Sequence, residues 1–150
     1  MPLFTLSFQS IFVLGLAEGI LAVMPHSGKR ILVVDDTPEL VRAARRRLQS
    51  AGFEVATASD GLTALSAMEG QVPHVVVLDV MMPNLNGFQV CRRIRSEPRY
   101  SEVKVVMLTA RTSAADQFWG EQAGADRYLT KPLDPAALTE VLIELLREGV

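Results

Sequence analysis

From Ile31 onward, hydrophobic and polar positions follow two alternating rhythms. Ile31–Val34 is an unbroken aliphatic run, the mark of a strand covered on both faces. Over Pro38–Ser50 the apolar residues Leu40, Val41, Ala44 and Leu48 recur at helical spacing. Arg42, Arg45, Arg46 and Arg47 make the opposite face basic. Ala51-Gly52 ends this helix, with Gly52 suited to its C-terminal cap. Phe53–Thr57 reads as a second, shorter strand. Ser59-Asp60-Gly61 leads into a helix through Ala64, Leu65 and Met68, and Val75–Leu78 is a third, wholly apolar strand. Pro83-Asn84-Leu85-Asn86-Gly87 has the composition of a loop, Phe88–Arg95 that of a helix stopped by Pro98, and Val103–Leu108 that of a fourth strand. Ser113 is placed to cap the next helix, with Asp116 three residues on in a capping-box arrangement. Arg127–Leu129 is a short fifth strand, and Leu138, Leu142, Leu145 and Leu146 mark a final amphipathic helix.

Strand and helix thus alternate in series. That pattern predicts an α/β fold: a doubly wound, five-stranded parallel sheet with helices on both faces and right-handed crossovers. In such sheets ligands bind beyond the carboxyl ends of the strands, at the point where the strand order reverses. The residues that directly follow each aliphatic run are therefore the first candidates for chemistry.

Residues 1–28 read differently, as a hydrophobic extension and linker ahead of a domain over residues 29–150. From Leu3 to Val23 only Glu18 is charged, and Phe4, Phe8 and Phe12 fall four apart. His26-Ser27-Gly28-Lys29-Arg30 forms a short polar joint. A secretory signal would begin with a basic region, which this segment lacks. Leu3–Val23 is nearly long enough to span a bilayer as an anchor, but Thr5, Ser7, Gln9, Ser10 and Glu18 dilute it. A helix packed on this or another subunit is a further reading. A misplaced start, with Met24 as the true initiator, is the favoured one.

Composition narrows the class. The chain has 150 residues, enough to bury a core, with 49% hydrophobic and 21% charged residues. The net charge of -2 lacks the basic excess of a nucleic-acid binder. The single cysteine, Cys91, excludes an internal disulfide and points to a reducing cytoplasm. Arg92 and Arg93 beside it could lower its pKa, although a packed helix residue is the plainer reading.

The strand ends carry an unusual set. Strand one ends in Asp35-Asp36, strand three in Asp79, strand four in Thr109, and strand five is followed by Lys131-Pro132. Clustered carboxylates repel and do not all ionise without compensation, which a divalent cation supplies. Mg²⁺ prefers oxygen ligands and keeps several waters that phosphoryl oxygens can displace. An aspartate can attack phosphorus and form an acyl phosphate. A metal and a lysine then stabilise charge on the equatorial oxygens, and a threonine hydroxyl can donate to the bound phosphoryl group. An acid after a strand is often only a helix cap, and Asp35-Asp36 before Thr37-Pro38 fits that role too. The joint occurrence along successive strand ends does not.

These residues resemble the receiver domain of bacterial two-component response regulators (CheY-like). The resemblance rests on Ile31-Leu-Val-Val-Asp-Asp36, Val77-Leu-Asp-Val-Met-Met-Pro83 with Asn86-Gly87, Val106-Met-Leu-Thr-Ala110 and Gly124-Ala-Asp-Arg-Tyr-Leu-Thr-Lys-Pro132. It covers about 120 residues, Lys29–Val150. It implies the (βα)5, flavodoxin-like receiver fold, with Asp79 as phosphoacceptor. Asp36 would bind Mg²⁺ directly, Asp35 mostly through water, and Asp79 and the backbone carbonyl of Met81 would complete the protein ligands. Lys131 would pair with the phosphate, Thr109 would move to bond it, and Tyr128 would be the switch aromatic that turns inward in response. A cis Lys131-Pro132 bond and a glycine at Gly87 that lets the loop turn over the site are also implied. Phe118-Trp119-Gly120 with Gln122–Asp126 resembles, more weakly, single-domain regulators of chemosensory and type IV pilus systems.

The family's readout surface is helix four, strand five and helix five, here roughly Ser113–Gly149. The expected partners are a histidine kinase or phosphotransfer protein and a downstream protein, with homodimerisation through the same surface as one arrangement. No direct nucleic-acid contact is expected, and no membrane contact unless residues 3–23 form an anchor. No residues remain after the last helix for an output domain, so the receiver itself is expected to act by docking, relay or as a phosphate sink, although a longer protein cut back to its receiver would read the same. Two rivals are a phosphate-independent interaction domain and a phosphatase with an aspartate nucleophile on a related fold. The first need not retain all five site residues. The second usually carries its acids two residues apart after the first strand, unlike the adjacent Asp35-Asp36. Met81 and Arg111 stand at positions that tune acyl-phosphate lifetime in the family. Met81 has no good hydrogen-bonding group to orient water, so Met81→Asn is expected to speed loss of the phosphoryl group, measured as the decay rate after removal of the phosphodonor.

Overall fold

In a strand covered on both faces, successive side chains must enter two different cores. Leu32 and Val34 point into one cluster with Val76, Leu78, Val105 and Met107, while Ile31 and Val33 point into another with Val75, Val77, Val106 and Leu108. The computed structural model describes residues 26–110 and 114–148. Its elements are β1 (Arg30–Val34), α1 (Pro38–Ser50), β2 (Glu54–Ala58), α2 (Gly61–Gly70), β3 (Val75–Asp79), α3 (Gly87–Ser96), a 3₁₀ turn (Pro98–Tyr100), β4 (Lys104–Thr109), α4 (Ala114–Ala123), β5 (Arg127–Thr130) and α5 (Pro135–Glu148). The five strands form one parallel sheet in the order β2-β1-β3-β4-β5. Ala44 and Leu48 of α1 and Leu138, Leu142 and Leu145 of α5 fill the second core. Residues of α2, α3 and α4 fill the first, including Met68, Ile94 and Ala123. Each fully buried aliphatic side chain contributes about 2 kcal/mol. The doubly wound expectation therefore holds, and the strand order reverses between β1 and β3.

The two edge strands depart from the two-face-buried reading. β2 and β5 expose part of their surface, while β3 is buried throughout. Strand β1 starts one residue earlier than expected, at Arg30, and β2 and β4 start one residue later. β2 begins at Glu54 rather than Phe53 because Phe53 completes the end of α1. Its N–H donates to the Leu48 carbonyl (3.1 Å), and the Gly52 N–H donates to the Gln49 carbonyl (3.0 Å). This is a Schellman motif, with Gly52 at φ +97°, so Phe53 has no N–H left for the ladder. Its ring is buried instead and lies 4.9 Å from that of His26. Similarly, the Val103 N–H donates to the Tyr100 carbonyl (3.1 Å), and β4 starts at Lys104.

The polar joint is bound to the domain rather than free. His26 Nε2 lies 2.5 Å from the Ala51 carbonyl, Gly28 donates to Gly52 (3.1 Å), and Arg30 already belongs to β1. The Ser113–Asp116 cap falls outside what is described, as Ser113 and Arg111 are not among the described residues. Among the described residues, no helix is long and apolar enough to cross a membrane.

Candidate phosphoacceptor and metal site

The site forms where chain connectivity diverges at the carboxyl ends of β1 and β3. Asp79 is the last residue of β3 and pairs in register with Leu108, and the next N–H, of Val80, donates to the Leu108 carbonyl (3.0 Å). Asp35 follows β1, held by its N–H to the Ala58 carbonyl (3.2 Å). Lys131 follows β5, held by its N–H to the Thr109 carbonyl (2.8 Å). Three parallel strands thus fix three charged groups through backbone bonds alone.

Asp35 and Asp79 are buried, and Asp36 is exposed. One carboxylate oxygen from each lies within 4.8 Å of the others. Lys131 Nζ sits 2.9 Å from Asp35 Oδ2 and 3.3 Å from Asp79 Oδ1, so one ammonium faces two buried carboxylates. Asp35 Oδ1 accepts from the Thr37 N–H (2.9 Å). Its Oδ2 is the oxygen that faces the Lys131 ammonium. Asp79 Oδ1 also accepts from the Met81 N–H at 3.2 Å. The N-cap residue of α1 is Thr37, whose side chain makes no cap hydrogen bond, and Asp35 meets the start of that helix only through the Thr37 N–H.

Burial pushes the Asp79 carboxyl above its ordinary pKa. The neighbouring charge of Asp35 adds to this, and Lys131 opposes it. For Lys131, burial alone would lower the pKa. Hydrogen bonding and charge from Asp35, then from Asp79, outweigh it and raise the pKa above the ordinary lysine value. The described geometry fits a hard cation: three carboxylate oxygens converge, and negative charge exceeds the single ammonium that faces them.

The remaining expected residues surround this set. Thr109 ends β4, buried and paired with Thr130. Tyr128 lies on β5 beside Met107 and packs on the first core. Lys131-Pro132 is cis. Met81 brings its backbone to the Asp79 carboxylate, while its side chain is 75% exposed. Phe118 and Trp119 stack edge-on at 5.5 Å on α4 and are half exposed, which sets aside ordinary core packing for Trp119.

Two of these residues owe their identity to packing. Gly87 lets the loop approach the end of β3 closely. A Cβ there would stand 2.5 Å from the Asp79 carbonyl oxygen and 3.0 Å from Val80 Cα. The loop residue with positive φ is Asn84 (67°). Gly87→Ala is expected to destabilise the domain by about 3 kcal/mol, because neither obstacle is a movable side-chain tip, and chemical denaturation would measure it. Cys91 is buried and donates to the Ala123 carbonyl (3.2 Å), and burial raises its thiol pKa to about 11. The neighbouring arginines do not activate it.

Several supporting residues carry no signal that the sequence reading used. Arg95 donates to the carbonyls of Gly124 (2.9 Å) and Val103 (2.6 Å) and to Asp126 Oδ2 (2.8 Å). Asp126 Oδ2 also accepts from the Val105 N–H (2.7 Å). This clamp joins α3, β4 and the approach to β5. Gly120 makes room for Tyr128, whose ring occupies the space that a Cβ at 120 would need.

A doubly wound parallel sheet with three acids and a lysine at its switch point defines a receiver-type signalling module. The model of the response regulator receiver domain matches residues 31–143, and the chain belongs to that family. It is 44% identical over 124 residues to the probable transcriptional regulator ycf27 of Cyanophora paradoxa, covering 83% of this chain and 51% of that protein. The chain spans about half the length of this relative. Among solved structures it resembles the chemotaxis protein CheY4 of Vibrio cholerae, with TM-score 0.76, 33% identity and coverage of 79% of this chain and 99% of that one. It also resembles the receiver domain of the sensor histidine kinase PA1611 of Pseudomonas aeruginosa, with TM-score 0.73, 30% identity and coverage of 81% and 99%.

Proposed function

We propose that Asp79 accepts a phosphoryl group from the phosphohistidine of a histidine kinase or phosphotransfer protein. The observation that carries this reading is the buried Asp79 carboxylate held between Lys131 and Asp35 at the switch point. In the transfer, an Asp79 carboxylate oxygen attacks phosphorus, the P–N bond to histidine breaks, and the imidazole nitrogen takes the leaving electron pair and then a proton. Lys131 balances the negative charge gathered on the phosphoryl oxygens. Asp35, Asp36, Asp79 and the Met81 carbonyl would hold Mg²⁺, which supplies charge neutralisation when bound. The Pseudomonas relative holds a magnesium ion in its active-site cleft, which supports that assignment.

The phosphoryl group then gives Thr109 a new acceptor. Its movement lets Tyr128 shift against Gly120, and the surface of α4, β5 and α5 changes its fit to a partner. The exposed Phe118–Trp119 pair lies on that surface. The same surface is available for a homodimer. In this reading residues 29–150 are the receiver and residues 1–28 an extension. The domain works in the cytoplasm beside its kinase, makes no direct contact with nucleic acid and turns over no external substrate.

Mass spectrometry after incubation with Mg²⁺ and acetyl phosphate tests the reading. Wild type is expected to gain one phosphoryl group, lost in EDTA, while Asp79→Asn gains none. Folded wild-type protein that binds Mg²⁺ but gains nothing would sink the proposal in favour of a phosphate-independent interaction domain.

A further inference from the structure

The end of the sheet opposite Asp79 carries a groove of about 490 Å³. It opens at the amino ends of β1, β3 and β4 and beside the last turns of α5. Pro73, Val103, Ile143 and Leu146 give it an apolar floor. Lys29, Arg30, Arg99, Lys104 and Arg147 line it as cations, against the single acid Glu102. An apolar floor with a cationic rim fits an apolar ligand that bears negative charge.

The chain itself has such a segment, attached at the groove wall. His26 lines the groove, and its ring is fixed by the Ala51 carbonyl and by Phe53. Only three residues further back lies Val23, the end of the apolar stretch Leu3–Val23, whose one charge is the acid Glu18. Val23, Leu21 and Ile20 precede His26 by three, five and six residues, at most about 11, 18 and 22 Å of chain, so no long loop would be needed to bring them to the floor. A short link of this kind gives an effective concentration of about millimolar, which a free ligand rarely matches. Glu18, eight residues before His26, can reach the rim in either a helical or an extended form.

We infer that residues 18–23 dock in this groove as an intramolecular strap, with Glu18 against the cationic rim and Ile20, Leu21 and Val23 on the apolar floor. The strap braces the amino-terminal edge of the sheet, remote from the phosphoacceptor. It gives the extension a role that does not depend on the chemistry of Asp79.

A thermal-unfolding cycle tests this with the full chain, a chain starting at Met24, and Ile143→Asp in each. Ile143 also packs at the margin of the second core, so the short chain measures the cost of the substitution that is independent of the strap. Truncation is expected to lower Tm by about 4 °C or more, Ile143→Asp in the full chain to cost a similar amount, and Ile143→Asp in the short chain to cost much less. Amide exchange over residues 72–74 and 143–147 should be at least about tenfold slower in the full chain. An unchanged Tm on truncation, additive effects of the two changes, or equal exchange would overturn the proposal. So would a doubled mass in size exclusion, or cosedimentation with phosphatidylglycerol vesicles, if either depended on residues 1–23, since the segment would then serve a second copy or a membrane.

Discussion

Asp79→Asn is expected to raise the stability of the metal-free domain by about 1–2 kcal/mol while it abolishes phosphoryl acceptance. Asp35 and Asp79 are buried within carboxylate–carboxylate repulsion distance and share one ammonium. At an effective dielectric of about 20, two unit charges some 5 Å apart repel by about 3 kcal/mol, and Lys131 offsets only part of this. The direction of the Asp79 pKa shift agrees. A carboxyl whose folded pKa lies above its ordinary value of 3.8 opposes folding fully above the folded pKa. That penalty fades as pH falls through the folded pKa toward the ordinary one. The gain from Asp79→Asn should therefore be largest near neutral pH and shrink in acid. Mg²⁺ relieves the same repulsion, so it should raise the Tm of wild type more than that of Asp79→Asn. A variant no more stable than wild type in EDTA at pH 7 would show that Lys131 already compensates both acids.

The residues that create this tension are legible in the sequence by their position. Asp35, Asp36, Asp79 and Thr109 stand at or just after the ends of aliphatic runs, Lys131 follows the short mixed strand Arg127–Thr130, and a parallel sheet brings such ends to one edge. The cores were legible for the same reason: strict alternation within Ile31–Val34 and Val75–Leu78 assigns each residue to a face. What escaped the sequence depends on distance between remote segments. Gly87 owes its identity to the Asp79 carbonyl, and Gly120 to the Tyr128 ring. The Arg95–Asp126 clamp joins residues that no periodicity relates. Cys91, read from the sequence as a packed helix residue, does face the core, and there desolvation outweighs the charge of Arg95. Local sequence gives a residue's neighbours along the chain, but its dielectric surroundings come from the packed structure.

Lys131→Met should do the reverse of Asp79→Asn and cost about 3 kcal/mol in metal-free buffer near pH 7. The Lys131 side chain is 23% exposed, and those of Asp35 and Asp79 almost fully buried, so removing the ammonium strands two carboxylates with little access to water. Methionine preserves most of the stem volume, so lost charge rather than a cavity dominates the effect. The raised Lys131 pKa means that its stabilising charge is fully present below its ordinary value of 10.5 and is lost only as pH rises through the folded value. Wild type therefore has the whole contribution at neutral pH. In Lys131→Met the Asp79 carboxyl rises further and protonates more readily, so the cost should be smaller at pH 5 than at pH 8. Adding Asp79→Asn should recover most of the loss, because one buried charge is then removed with its missing partner. Denaturant unfolding of the two single variants and the double variant, at both pH values with EDTA present, would measure this. If the double variant were as unstable as Lys131→Met alone, the lysine would act through packing of its stem, and the electrostatic account of the site would fail. Phosphorylation separates the two roles of Lys131 as well. Excess Mg²⁺ should restore much of the stability of Lys131→Met, while acceptance from acetyl phosphate stays well below wild type. The cation relieves the carboxylates, but it does not replace the ammonium that faces the phosphoryl oxygens.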